Sequence, residues 1–402
     1  MSARVFITGF GTITSIGNNA EENFRSLVNR SHGFGPINGL DTVHRDSLSA
    51  CEIDLSEEQL CSIAGVAPAH GYTRTALLGL IAVHEAIRSA GLSPMEVKNS
   101  GLVSATTTGG IREFEKHFYE LMDPSCEGDF ARFTDTATSG EHCERIADHV
   151  GIKKYLGTIS TACSSSANSI IHGAQLIKNN KLDRVICGGS EALSKFTVNG
   201  FNTLMILDNA HCRPFDSTRT GLNIGEGAAY LVLESEEVLF KTGKKALAEL
   251  KGYGNANDAF HQTASSPDGA GAFLAMKMAL TSAGIQPDDV DYVNAHGTAT
   301  ENNDLSEGLG MKRLFSKSIP FFSSTKPYTG HTLAAAGAVE AVFCLLALKN
   351  DMIWPNLNFK NVMPELDITP VVELKKGIRL KHVLSNSFGF GGNASSLVLA
   401  SA

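Results

Sequence analysis

Two hydrophobic periods alternate along this chain. Short apolar runs such as Val5-Phe6-Ile7, Arg184-Val185-Ile186-Cys187 and Tyr292-Val293-Asn294-Ala295 have the continuous character of buried strands. Between them the spacing turns helical: Ile170, Ala174, Leu176 and Ile177 fall on one face of a predicted helix. Strands alternating with helices predict an α/β chain of layered sheets, with helices between and outside them. The most apolar helical run, Leu333 to Leu348, is interrupted by Glu340 and falls short of the ~20 residues a bilayer requires, so no window predicts a membrane span. At the amino terminus Arg4 precedes Val5-Phe6-Ile7-Thr8-Gly9, but Gly11 follows at once. That predicts a strand and turn rather than a secretory leader.

The pattern occurs twice. Ser89-Ala90-Gly91-Leu92-Ser93-Pro94-Met95-Glu96-Val97 resembles Ser282-Ala283-Gly284-Ile285-Gln286-Pro287-Asp288-Asp289-Val290. In each, glycine stops a helix and proline keeps the loop from re-entering it. Ser160-Thr161 leads into a helix ending Ile177-Lys178-Asn179, and Ser324-Thr325 leads into one ending Leu348-Lys349-Asn350. Gly227 to Leu233 similarly matches Asn393 to Leu399. Three matches in one order predict a duplicated α/β unit, with Ala246 to Tyr253 restarting what Arg4 to Phe10 opened. The halves are therefore residues 1–245 and 246–402, and with no low-complexity linker between them they are expected to share a core.

Composition narrows the reading. A length of 402 residues suits two similar units or one large layered body. At 43% hydrophobic and 19% charged, the chain is an ordinary globular one, so global disorder is excluded. The 39 glycines show no three-residue period, which excludes a collagen-like structure. A net charge of −8 argues against a broad nucleic-acid surface. Eight cysteines without any Cys-x-x-Cys pair point away from zinc or other metal sites and from a disulfide framework, and toward a reduced, cytoplasmic protein.

Cys163 lies in Ile159-Ser160-Thr161-Ala162-Cys163-Ser164-Ser165-Ser166, where a strand gives way to a helix. Unpaired N–H groups and the helix dipole there are expected to lower its pKa and to receive a developing oxyanion. Cys187 and Cys344, in apolar segments, fit the ordinary alternative of a buried inert thiol; Cys163 does not, because its small neighbours leave the backbone approachable. His296 and His331 sit at strand ends in glycine-flanked loops, where the sites of layered α/β proteins gather. Under the duplication, His331 heads the helix that corresponds to the one headed by Cys163, so both helix starts are expected in one cleft. Ser387-Phe388-Gly389-Phe390-Gly391-Gly392 is either a plain tight turn or a backbone donor and aromatic gate beside the nucleophile. Gly9-Phe10-Gly11 is only a partial dinucleotide fingerprint.

Together with Arg213-Pro214-Phe215-Asp216, Gly225-Glu226-Gly227-Ala228 and Asn294-Ala295-His296-Gly297-Thr298, these segments resemble the β-ketoacyl-acyl-carrier-protein synthases, condensing enzymes of the thiolase superfamily. The resemblance runs from the opening strand to Leu399 and is nearest to the elongating, Cys-His-His type. It implies a duplicated, five-layered α-β-α-β-α fold. Cys163 would take an acyl group from the phosphopantetheine of acyl carrier protein, with the N–H groups of Cys163 and Phe390 as oxyanion hole. His296 and His331, as neutral donors, would stabilise the enolate left by decarboxylation of malonyl-carrier protein. Lys326 resembles the family's active-site lysine, with Glu307 as its partner and Asp304 nearby; the plainer alternative is a surface ion pair. Thr298 and Thr300 resemble the hydroxyls that bind pantetheine amides, Phe390 the gating aromatic, and Phe388 its neighbour at the substrate. No metal or other cofactor is implied.

Two departures from the family pattern stand out. The chain reads Gly391-Gly392-Asn393-Ala394 where relatives usually continue Gly-Gly-Thr-Asn, which alters the hydrogen bonding of that turn. Thr106-Thr107-Thr108 occupies an acyl-pocket position where relatives often carry a bulky apolar residue; Thr108 is thus a candidate substrate contact, for an unusual or unsaturated chain. Asn302-Asn303-Asp304 also resembles synthases of specialised polyene or pigment pathways. The resemblance further implies a homodimer, or a heterodimer with a related chain-length subunit. A non-catalytic carrier-binding subunit is the remaining alternative. A local basic patch is expected at the entrance for the acidic carrier, with Arg74 a candidate.

Overall fold

The computed structural model describes residues 4–67 and 71–402. Ten strands build the framework: β1 (Val5–Thr14), β2 (Gly101–Ala105), β3 (Tyr155–Ile159), β4 (Arg184–Glu191), β5 (Gly227–Ser235), β6 (Ala248–Asn257), β7 (Tyr292–Asn294), β8 (Phe321–Ser323), β9 (His382–Phe388) and β10 (Asn393–Ser401). Their spatial order is β8-β7-β9-β10-β6-β1-β5-β4-β2-β3. Read outward from the middle, each half repeats one topology: an antiparallel pair, a second antiparallel neighbour, then two parallel additions. The two five-stranded units are stitched edge to edge where Phe6 and Ile7 of β1 pair with Glu249 and Ala248 of β6.

Five helices complete the layers: α1 (Arg74–Ser89), α2 (Ser165–Lys178), α3 (Ala270–Ala283), α4 (Glu301–Leu314) and α5 (Ala336–Asn350). α1 covers β1 and β5 on one outer face; α3, flanked by α4, covers β6 and β10 on the other. α2 and α5 pack on each other between the sheets, giving the α-β-α-β-α order. Apart from Glu340, α5 is apolar on every side from Ala336 to Leu348, in keeping with its burial over that length. With its 3₁₀ lead-in it becomes an 18-residue apolar segment, Leu333–Asn350, long enough to cross a membrane, yet it lies buried at the centre of the protein.

One sequence expectation changes here. Gly9 and Gly11 do not end β1, which runs on to Thr14 with a bulge between Ile7 and Gly9. Their job is proximity: a Cβ on Gly9 would lie 2.5 Å from Ala90 N, and one on Gly11 2.2 Å from Ala82 O, so the strand presses directly on the backbone of α1. Gly252 and Gly254 of β6 repeat the device against α3, at 2.5 Å from Ala279 O and 2.1 Å from Ala275 O. The duplication therefore extends to individual helix–strand contacts.

Candidate active site

Cys163 sits on a tight elbow between β3 and α2. Ala162 is held in the left-handed region at φ 53°, a conformation that costs a non-glycine residue about 1–2 kcal/mol. Hydroxyls hold it there: Ser165 Oγ donates to Ala162 O at 2.5 Å and receives the Thr161 N–H at 2.8 Å, while Ser164 Oγ shares its one proton between Thr161 O and Asn393 Oδ1, each at 2.7 Å. The turn after β9 lies against this elbow. A Cβ on Gly389 would stand 3.1 Å from Cys163 N, and Gly391 and Gly392 adopt φ 82° and 77°, which favour glycine.

The second half supplies the imidazoles. His296 follows β7, and His331 precedes α5; their rings meet edge to face at 5.3 Å. Leu333 N–H donates to His331 Nδ1 at 3.3 Å, and Lys326 Nζ approaches His296 Nδ1 at 3.2 Å. A ring nitrogen that accepts carries no proton, so both neutral rings hold theirs on Nε2. His331 Nε2 is buried without a partner among the described residues. Cys163, both histidines, Thr298, Thr300, Phe388 and Phe390 line one cavity of about 370 Å³, a size suited to a small organic ligand. Phe390 stacks on Phe201 at 5.7 Å across it.

Residues 2–238 match the N-terminal domain of the β-ketoacyl synthases and residues 247–360 their C-terminal domain. The chain belongs to the β-ketoacyl synthase family. It is 32% identical to 3-oxoacyl-[acyl-carrier-protein] synthase 2 of Staphylococcus aureus (strain COL), over 98% of this chain and 97% of that one. Identity to the Synechocystis synthase of the same name is 33%, with the same coverage of both chains. Among solved structures, the ishigamide ketosynthase/chain length factor superposes with a TM-score of 0.93 at 29% identity, covering 100% of both chains. A Xenorhabdus doucetiae ketosynthase in complex with its chain length factor gives 0.86 at 29%, covering 100% of this chain and 98% of that one.

Within this β-ketoacyl synthase, electrostatics correct several expectations. Burial pushes the Cys163 thiol up to about 12; the Lys326 ammonium opposes that shift, and burial wins. Helix α2 begins two residues later, at Ser165, so its dipole does not outweigh desolvation. The resting group is a thiol. Burial, helped by Lys326, holds both histidines well below the ordinary imidazole value, so they stay neutral.

Lys326 does not pair with Glu307. Its ammonium donates to Glu340 Oε1 at 2.5 Å and to the His296 carbonyl at 2.6 Å. Glu340, the lone charge in the apolar run, is pushed by burial to about 7. Its isolation among apolar residues was the signal that could have found it. Glu307 instead accepts the N–H groups of His296 and Gly297 at 2.9 and 2.8 Å, plus Asn386 Nδ2 at 3.0 Å. Nor is Asp304 beside the lysine: it accepts the N–H groups of Phe215 and Ala299, at 2.7 and 3.1 Å, two residues held at φ 63° and 67°. Both carboxylates are fully buried on α4, so the surface-pair alternative fails as well.

Thr108 is not at the cavity. The hydroxyls of Thr106, Thr107 and Thr108 all donate to Glu191, at 3.0, 2.5 and 2.7 Å. Three donors satisfy one buried carboxylate, which explains hydroxyls at that position. Arg74 is likewise no docking residue. It is buried, its guanidinium committed to Glu226 at 2.6 Å and to the carbonyls of Ile53 and Leu55.

Proposed function

We propose that this chain is a 3-oxoacyl-acyl-carrier-protein synthase that lengthens a thioester-bound acyl chain by two carbons. The observation that carries the reading is a single cavity in which the Cys163 elbow of one half faces the paired Nε2–H donors of the other.

In the first half-reaction the Cys163 sulfur attacks an acyl thioester on the carrier's phosphopantetheine. The carbon–sulfur bond to the carrier breaks, the acyl group moves to Cys163, and the thiol proton ends on the departing carrier thiol. The N–H groups of Cys163 and Phe390, brought together by the Gly389 contact, would face the oxyanion. In the second, malonyl-carrier protein loses carbon dioxide, and the negative charge that gathers on its thioester oxygen meets His296 and His331. The enolate carbon then attacks the acyl-enzyme carbonyl, expelling the Cys163 thiolate, which takes a proton from solvent. Loss of carbon dioxide drives the sequence, and the side chains described suffice for each step.

The partners follow from this reading. Acyl carrier protein brings both substrates, and β3, the open edge of the sheet, is offered to a second chain, either a copy of this one or a related chain-length subunit such as the solved relatives carry. A reducing, cytoplasmic setting suits the buried thiols of Cys51, Cys143, Cys187, Cys212 and Cys344, none of which forms a disulfide.

Intact-mass measurement after incubation with acyl-carrier protein tests the proposal. Native protein gains one acyl group and Cys163→Ala gains none. His331→Ala still gains it but releases carbon dioxide from malonyl-carrier protein slower by roughly 10²–10³, as expected for one lost charge-stabilising donor. An unmodified Cys163 in the native protein would end the reading. Assaying the chain alone and then with a co-expressed chain-length subunit separates a self-sufficient synthase from one that needs a partner.

A further inference from the structure

Asn393 stands where two pieces of the site meet. Its carbonyl accepts the Gly389 N–H at 2.8 Å, closing the turn that carries Phe390. Its side-chain Oδ1 gathers three donors from the other direction: Ser164 Oγ at 2.7 Å, Asn168 Nδ2 at 2.9 Å and Asn255 Nδ2 at 3.1 Å. Ser164 directly follows Cys163, and Asn168 Nδ2 also donates to Thr161 Oγ1 at 2.8 Å. Both ends of the strained elbow are thereby tied to one amide oxygen. The cluster has no slack, because Asn168 Oδ1 is itself held by Ser395 Oγ at 2.7 Å and by Asn255 Nδ2 at 2.9 Å.

The histidines are braced by other groups, Glu307, Lys326 and the Leu333 N–H. The site thus has two separate supports, one for the elbow and one for the imidazoles.

We propose that Asn393 is a positioning residue that locks the Phe390 turn to the Cys163 elbow, fixing the spacing of the two backbone N–H groups that face the acyl oxygen. It touches no reacting atom. The inference rests on the condensing reading above, because only that reading gives those N–H groups an oxyanion to hold. Without the amide acceptor, Ser164 and Asn168 lose their common anchor, Ala162 is free to leave its left-handed conformation, and the two N–H groups separate. A misplacement of this kind acts on acyl transfer, whereas decarboxylation uses the other support.

The test separates the two half-reactions. Asn393→Ala should slow single-turnover acylation of Cys163 by roughly tenfold or more, while carbon dioxide release from malonyl-carrier protein stays within about twofold of the native rate. Asn393→Asp, which keeps an acceptor oxygen in place, should restore most of the acylation. Acylation by Asn393→Ala at the native rate overturns the inference alone. So does a parallel fall of both half-reactions together with the melting temperature, the mark of a merely structural residue. A native protein that takes no acyl group removes the functional reading and this inference with it.

Discussion

At the scale of single residues, the lysine at the centre of the site is defined by what it touches. Lys326 joins Glu340 on α5 to both the carbonyl and the ring of His296, all out of water. Removing one member of such a pair strands the other charge in a low-dielectric interior, at about 3–5 kcal/mol. Glu340→Gln is therefore expected to lower stability by that order in a denaturant titration. A double-mutant cycle of Glu340→Gln with Lys326→Met should show strong coupling, whereas Glu307→Gln with Lys326→Met should be close to additive. Equal coupling in the two cycles would restore the pairing expected from sequence. The histidines make a second prediction. Their folded-state values lie well below the ordinary 6.5, so the neutral donors persist as pH falls through that point, and decarboxylation should show no acid limb there. Stability behaves oppositely. Below 6.5 the unfolded chain takes up protons that the folded protein refuses at these two sites and at His142, held near 4 by burial. These three histidines take stability away between about pH 6.5 and 4, against Glu113, Glu307 and Glu340, whose carboxyls burial raises to about 7 and which bind protons on folding there. The melting temperature of the native protein should therefore fall relative to that of His142→Asn over this window, while the decarboxylation rate holds over its upper part. The nucleophile and both histidines were legible because loop chemistry is local: small residues at a strand end, and histidine beside glycine. The partner of Lys326 was not, since it lies fourteen positions further along the chain, in a contact that only the packing of α5 creates.

Among elements, the decisive junction is the crossing of α2 and α5, the two helices whose leading ends carry Cys163 and His331. Gly337 makes that crossing close: a Cβ there would stand 2.8 Å from Ala167 N and 2.8 Å from Ser387 Oγ. Gly337 lies within helix α5, so backbone strain is not the issue; space is. Gly337→Val should force the helices apart, lowering stability by about 1–3 kcal/mol in urea unfolding and slowing condensation by shifting the imidazoles relative to the sulfur. Full stability and full activity together would show that the crossing tolerates the added bulk. Glycine also marks the limit of what the elements reveal in advance. The same residue type serves left-handed φ at Gly391 and Gly392, and bare proximity at Gly9, Gly11, Gly252, Gly254 and Gly337. Composition cannot tell those uses apart. Only the passing helix does, which is why β1 was expected to turn where it continues. The threonines at 106 to 108 teach the same point, because their hydroxyls answer to Glu191, a residue some eighty positions away on another strand.

Over the whole molecule, duplication was the most readable feature, because three weak matches in order imply a topology that no single match does. What repetition left unsaid was how the halves differ at their outer strands. β3 ends one side of the sheet with Leu156 43% exposed and its other residues only partly covered. On its counterpart β8 Phe321 is also 43% exposed, but Phe322 O accepts the Val371 N–H at 2.8 Å, and Lys375 lies 4.9 Å over the ring of Phe321. Leu156→Lys should therefore weaken association, seen as a shift toward the monomer in sedimentation at micromolar concentration, and leave monomer stability nearly unchanged. An unaltered assembly would place the contact elsewhere. The backbone bond at the far side matters for arithmetic as much as for solubility. Association through β3 alone would give the chain a valence of one, so that growth halts once two chains have met. Fibres need a fresh rim after every addition, and a pair joined at β3 would have none left there to offer.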